Sequence, residues 1–160
     1  DQQVVLGYTP FTKWSLYGKA GIKVNIPDQI NVRVPEKENV LPGPERKERV
    51  QRYIGPQGLI GITSDFKIID TISFSAGYDV TEKTKDSYRG SKDWKYSILE
   101  KNTNSSAHRA KLGVSYDTTR AYFRKQAAIP ALVSYEWNDT VAGRNIERQT
   151  VNELWVTVFF

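Results

Sequence analysis

The residues TISFSAGYDVT at positions 71–81 alternate strictly between apolar and polar or small side chains. The apolar set consists of Ile72, Phe74, Ala76, Tyr78 and Val80. Successive side chains of a β-strand point to opposite faces, so this period of two predicts a strand with one apolar face, and not a helix. The stretch RAKLGVSYD at positions 109–117 repeats the pattern.

The same alternation recurs along the chain and predicts seven antiparallel strands in an up-and-down meander. The expected strands are Gln3–Phe11, Ser15–Asn25 with continued parity to Val34, Val50–Phe66, Thr71–Thr81, Arg109–Asp117, Ile129–Asn138 and Glu147–Phe160. Long polar connections are expected at Pro35–Arg49 and Asp86–Ser105, and the other connections are short. No segment with helical periodicity competes with this pattern.

Composition limits the possible functions. The chain has 160 residues, enough for one domain, and only 39% of them are hydrophobic. There is no cysteine and a single histidine, His108, so thiolate metal sites and histidine clusters are excluded. The net charge is +5, but both signs are interspersed and no RNA-binding motif or basic helix is present. We therefore expect no metal, no cofactor and no nucleic-acid partner.

Two environments can produce alternating strands. A soluble sheet packs its apolar face on a core, whereas a membrane barrel turns that face to lipid and its polar face to the lumen. The expected strands are longer than the usual ~5–6 residues, and aromatic residues gather near strand ends, as at Trp14 and Tyr116. These features favour the membrane. A soluble sandwich, or a ligand-binding barrel of the lipocalin type, is the alternative.

The final residues strengthen the membrane interpretation. Leu154, Val156 and Val158 alternate ahead of Phe160. This pattern resembles the terminal strand of Gram-negative outer-membrane β-barrel proteins, which the barrel-assembly machinery reads. The resemblance implies an outer-membrane location, contact with lipid and lipopolysaccharide, long external loops and short periplasmic turns. Hairpins such as Gly77–Asp79 also resemble the later strands of porins and FadL-like transporters in a general way.

The fold expected over residues 1–160 is thus an all-β, transmembrane, antiparallel up-and-down β-barrel of about seven or eight strands. An odd count of seven leaves two possibilities. A strand is hidden within 89–99 or 35–52, or the chain is the C-terminal portion of a larger barrel completed by further strands or another subunit.

The expected function is a passive channel or uptake pathway for small solutes. Its lumen is predicted to carry the charged residues Lys19, Lys23, Arg33, Asp79, Arg109, Lys111, Asp117, Glu136 and Glu153. The alternative is a small, plugged structural or adhesive barrel whose external loops bind a partner. No catalytic residues are expected, because His108 has only Ser105 and Ser106 near it in sequence and no carboxylate pair reads as a dyad.

The face assignment makes a quantitative prediction. Side chains expected to contact lipid are Leu16, Ile22, Phe74, Leu112, Val133 and Val156. Arginine at Leu112 should cost ~2–4 kcal/mol. Arginine at the neighbouring Gly113, on the lumen side, should cost much less.

Overall fold

The computed structural model describes residues 2–38 and 40–159. The strands are β1 (Gln2–Phe11), β2 (Trp14–Lys23), β3 (Asp28–Arg33), β4 (Lys47–Tyr53), β5 (Gln57–Ile69), β6 (Ile72–Lys83), β7 (Ser87–Arg89), β8 (Ser105–Asp117), β9 (Ala131–Arg144) and β10 (Thr150–Val158). One short helix, α1 (Thr119–Phe123), and two 3₁₀ turns, Pro44–Arg46 and Tyr96–Ile98, lie in the connections.

Seven strands form one antiparallel sheet in the order β1-β2-β5-β6-β8-β9-β10. This confirms an all-β antiparallel architecture. Within residues 2–38 and 40–159, β1 and β10 are unpaired edges, so the sheet is open and the expected barrel closure is not present. An odd number of alternating strands makes β1 and β10 run in the same direction.

The remaining strands form a second sheet in the order β3-β4-β7. The expected strand Val50–Phe66 is therefore wrong, because it divides into β4 and β5. We had also considered an additional strand of the larger sheet within 35–52 or 89–99, but neither region belongs to that sheet. Those regions supply most of β4 and the last residue of β7. Among the described residues, the apolar side chains with almost no exposure are Val50 of β4 and Val34, which directly follows β3.

The two sheets are connected by one long hairpin. Gln57 pairs with Lys83 in the larger sheet, and Tyr53 pairs with Ser87 in the smaller one in the same register. Between them the amide of Thr84 donates to the carbonyl of Pro56 over 3.0 Å. Proline has no amide hydrogen to donate to a strand ladder. The break between the two sheets therefore falls at Pro56, where this donor is missing.

The ends of the larger sheet differ. At the turn end lie the β1–β2 and β5–β6 turns and the β8–β9 connection that contains α1. At the loop end lie the long β2–β5 and β6–β8 connections, which carry the second sheet, and the β9–β10 turn. The short-and-long alternation read from the sequence is thus present, although the β8–β9 connection extends to Pro130.

Exposure on the larger sheet is inverted relative to a soluble protein. We call the face of the larger sheet that carries Leu6 and Ile60 the apolar face. These two side chains are 73% and 69% exposed. On the opposite, polar face Asp79 is only 5% exposed. A cavity of about 400 Å³ is lined by both Thr9 of β1 and Trp155 of β10. Both edge strands reach the same cavity, so the sheet curls with its polar face on the concave side.

Candidate functional site

The polar face carries eight of the nine charged residues predicted to line a lumen. By strand register these are Lys19, Lys23, Asp79, Arg109, Lys111, Asp117, Glu136 and Glu153. The ninth residue, Arg33, was predicted to lie on this face, and that prediction is wrong. Arg33 ends β3 in the second sheet, because the chain leaves the larger sheet after Lys23 although its alternation continues.

The centre of the polar face is a cluster of two lysines on one carboxylate. The Nζ atoms of Lys19 and Lys111 lie 2.8 Å and 2.9 Å from Oδ2 of Asp79. The other carboxylate oxygen, Oδ1, is buried and has no hydrogen-bond partner among the described residues. The cluster retains one net positive charge, and Arg109 lies directly opposite Asp79 in the register.

Gly61 makes this cluster possible. It lies on β5, directly between Lys19 on β2 and Asp79 on β6. A Cβ atom at this position would come within 2.1 Å of Asp79 Oδ1 and 2.5 Å of Lys19 Cε. Gly61 was not among the residues predicted from the sequence. The available signal was a glycine at the centre of a long strand, which often marks a close approach of other groups.

A belt of carboxylates crosses the polar face nearer the turn end. Glu136 pairs directly with Glu153 across β9 and β10. Asp65 lies in the same row, separated from Glu136 by Ser75 and Gly113. Like charges placed opposite each other in a sheet repel. Asp65 and Glu136 line the 400 Å³ cavity together with Lys13 and Lys67, so this cavity carries both signs of charge.

At the loop end of the polar face, the charged residues that line the cavity are all cations. A second cavity of about 320 Å³ is lined by Lys23 and Arg109 and by no carboxylate. Its other polar side chains are amides, such as those of Gln3 and Gln57, and the hydroxyl of Thr81. The charged side chains that line the cavity are therefore only cations at the loop end and of both signs at the turn end, with the Asp79 cluster between them.

Above the loop end, a buried carboxylate holds the second sheet to the β6–β8 connection. Glu48, 8% exposed, accepts hydrogen bonds from the amide and hydroxyl of Ser91 at 2.7 and 2.8 Å and from the hydroxyl of Tyr96. Burial acts to raise the pKa of Glu48, but the bonds from Tyr96 and Ser91 outweigh it and hold that pKa below its usual value. Burial and the neighbouring carboxylate raise the pKa of Tyr96.

The same region contains cationic side chains on aromatic rings. The guanidinium of Arg46 lies 4.7 Å, and the ammonium of Lys92 4.4 Å, from the centroid of Trp94. Arg46 also donates to the carbonyl of Val34. These contacts order the long connections, which were predicted only as polar loops, into a folded cap.

His108 lies on the apolar face, where its Nδ1 is 3.0 Å from the hydroxyl of Tyr78. Neither serine near it in sequence makes a hydrogen bond with the ring among the described residues. Within residues 2–38 and 40–159, no group of three or more His, Asp or Glu residues could hold a metal ion. No helix in the described part of the chain is long and apolar enough to span a membrane.

The residues that resemble an assembly signal lie at an edge of the sheet. Leu154, Val156 and Val158 share the apolar face of β10, since they pair with Tyr135, Val133 and Ala131. Phe160, the last member of the signal, lies outside the described residues. The sequence matches no known protein-family model. A comparison with curated proteins finds no similar sequence.

Proposed function

We propose that the seven-stranded sheet is the wall of an outer-membrane β-barrel of a Gram-negative bacterium. Its polar face would line a passive channel or uptake pathway for small solutes. The observation that carries this proposal is the inverted exposure: apolar side chains such as Ile60 cover the convex face, while Asp79 is sheltered on the concave one. A protein in water hides apolar surface, whereas a barrel in lipid presents it outward.

The dimensions of the apolar face support a membrane environment. On β6 the face is free of charge from Ile72 to Val80, and a tilted strand needs about 9–11 residues to cross the hydrocarbon. Trp14, Phe66 and Phe74 are register partners in one row near the turn end, and the row continues to Tyr135 through Val114. Aromatic rows of this kind are typical of membrane interfaces.

The directions of the edge strands indicate how such a wall would be completed. Since β1 and β10 run in the same direction, closure with only antiparallel neighbours requires an odd number of additional strands. Further strands of a larger barrel, or of another subunit, would meet this requirement. Assembly through the barrel-assembly machinery fits the Leu154, Val156 and Val158 pattern and its resemblance to the terminal-strand signal.

A second candidate function is a plugged structural or adhesive barrel. The folded cap favours it, because Glu48 and the buried Val34 and Val50 give the loop end a fixed surface suited to binding a partner. In this alternative the Lys19–Asp79–Lys111 cluster is a structural network that fills the lumen.

Refolding and conductance distinguish these possibilities. The chain is refolded in detergent, compared on a gel with and without boiling, and then added to a planar lipid bilayer. A heat-sensitive compact band with ion conductance supports the channel, and the same band without conductance supports the plugged barrel. A chain that needs detergent but gives no compact band supports a wall completed by further strands. A chain that is monodisperse in water without detergent contradicts both functions.

A further inference from the structure

The β8–β9 connection, residues 118–130, combines cations with exposed apolar rings. It contains Arg120, Arg124 and Lys125 and no acidic residue. All three cationic residues are exposed. Phe123 is 78% and Ile129 58% exposed. Cations beside exposed aromatic and aliphatic side chains are the composition of segments that lie at a membrane surface.

The connection is a defined structure and not an open loop. The Thr118 hydroxyl bonds to the carbonyl of Ile129 and accepts from the amide of Ala131, which closes the base of the segment. Within it, the amides of Tyr122 and Lys125 donate to the carbonyls of Thr118 and Tyr122. The basic and aromatic side chains are therefore presented from a backbone that is already ordered.

A depression of about 410 Å³ opens on this segment. It is lined by Tyr122, Phe123, Lys125 and Ala127. One ammonium group beside two aromatic rings suits a group that is negatively charged at one end and apolar at the other.

The surroundings of the segment point to lipid. The segment directly adjoins the apolar face of the sheet at Tyr116, which is 50% exposed, and at its register partner Val133. Among neighbouring acids, Asp70 lies 3.6 Å from Arg124, in an exposed pair, and Asp117 receives the amide of Thr119. The three cations of the segment outnumber these two acids, so a net positive charge remains at this end of the sheet.

We propose that residues 118–130 bind the headgroups of anionic phospholipids, with phosphate at Arg120, Arg124 and Lys125 and acyl chains along the adjoining apolar face. This inference rests on the proposed membrane location. It goes further by assigning a lipid class to one end of the sheet. A purely apolar contact would not distinguish anionic from zwitterionic lipid, whereas each basic residue near an anionic surface strengthens binding about fivefold.

The test compares phosphatidylglycerol with phosphatidylcholine. The chain is refolded in zwitterionic micelles, its β-sheet signal is checked by circular dichroism, and bound lipid is counted by native mass spectrometry. We expect phosphatidylglycerol to bind about tenfold more tightly or better at low salt, with the preference shrinking as salt rises. The triple variant R120Q/R124Q/K125Q should lose most of this preference.

A matched control removes the same charge from the other end. The variant K37Q/K47Q/R49Q changes three exposed cations in and beside the second sheet and should keep the full preference. Equal binding of both lipids by the unmodified chain overturns the inference, as does a preference that survives in the first variant or disappears in the second. A chain without β-sheet structure in micelles contradicts the proposed function itself, and this inference with it.

Discussion

Lys19 and Asp79 form an ion pair of 2.8 Å although a complete strand separates the strands that carry them. The pair crosses β5 above Gly61, which has no side chain to obstruct it. Lys111 reaches the same carboxylate oxygen from β8. Three strands, β2, β6 and β8, are thereby tied together on the polar face, with Asp79 as the carboxylate that they share.

Gly61→Ala tests this geometry. The new methyl group would collide with the Asp79 carboxylate and the Lys19 side chain, and overpacking of this kind costs about 1–3 kcal/mol. The free energy of unfolding is measured by urea titration of the refolded chain. Gly58→Ala, on the same strand, is the control, because nothing lies within 4 Å of a Cβ atom there. Equal effects of the two substitutions would show that the close approach at Gly61 is unimportant.

Asp79→Asn tests the electrostatic role of the cluster. The substitution preserves shape but removes the only carboxylate that Lys19 and Lys111 contact among the described residues. If the polar face lines a conducting pathway, anions should permeate more readily, because fixed charge sets the field an ion crosses. The reversal potential in a salt gradient measures this change. If the variant conducts but its reversal potential is unchanged, or shifts toward cation selectivity, the cluster does not set the field in the pathway.

Ile62→Arg and Leu59→Arg compare the two faces of β5 with the same substitution. Ile62 lies on the apolar face, and Leu59 lines the loop-end cavity on the polar face. Arginine toward lipid near the midplane costs about 2–4 kcal/mol, whereas arginine in a polar cavity should cost much less. Unfolding in lipid vesicles gives both values. A larger loss for Leu59→Arg would reverse the assignment of the faces.

The Glu48 site makes the cap sensitive to acid. The pKa of Glu48 is lower in the folded cap than in an unfolded chain, so its stabilising effect is complete above the unfolded value. That effect is lost as the pH falls through the lower, folded value. The amide of Ser91, which donates to this carboxylate, should therefore lose protection from hydrogen exchange in acid.

Glu48→Gln should reduce the protection of Ser91 already at neutral pH. Glu45→Gln, an equal change of charge at an exposed position nearby, should not. Protection factors corrected for the intrinsic pH dependence of exchange provide the comparison. Unchanged protection in Glu48→Gln would mean that the carboxylate does not hold the connection in place.

Alternation alone was sufficient to predict most of the larger sheet. Strands such as Ile72–Lys83 and Ser105–Asp117 were recognisable because every second side chain is apolar from Ile72 to Val80 and from Ala110 to Tyr116. The parity of each strand also determines which charged residues share a face. Arg33 was misplaced because the alternation of apolar and polar residues continues past Lys23, although the chain leaves the larger sheet there.

The remainder depends on contacts between residues far apart in sequence. Glu48 is held by Ser91 and Tyr96, and no local pattern predicts that meeting. The same holds for Gly113, where arginine was expected to cost much less than at Leu112. A Cβ atom there would come within 2.3 Å of the Ser75 hydroxyl, so a side chain at this position requires Ser75 to adopt another rotamer. Leu59 is therefore the better polar-face position for that comparison.

Cysteine labelling shows directly whether the apolar face contacts lipid while the polar face contacts water, as we propose. The chain has no cysteine of its own, so Val80→Cys and Thr81→Cys each introduce a single thiol. These neighbours on β6 are similarly half-buried but lie on opposite faces. In lipid vesicles, a membrane-impermeant maleimide should label Thr81→Cys and leave Val80→Cys unmodified, and both should react after denaturation. Labelling of Val80→Cys as fast as Thr81→Cys in intact vesicles would contradict the account.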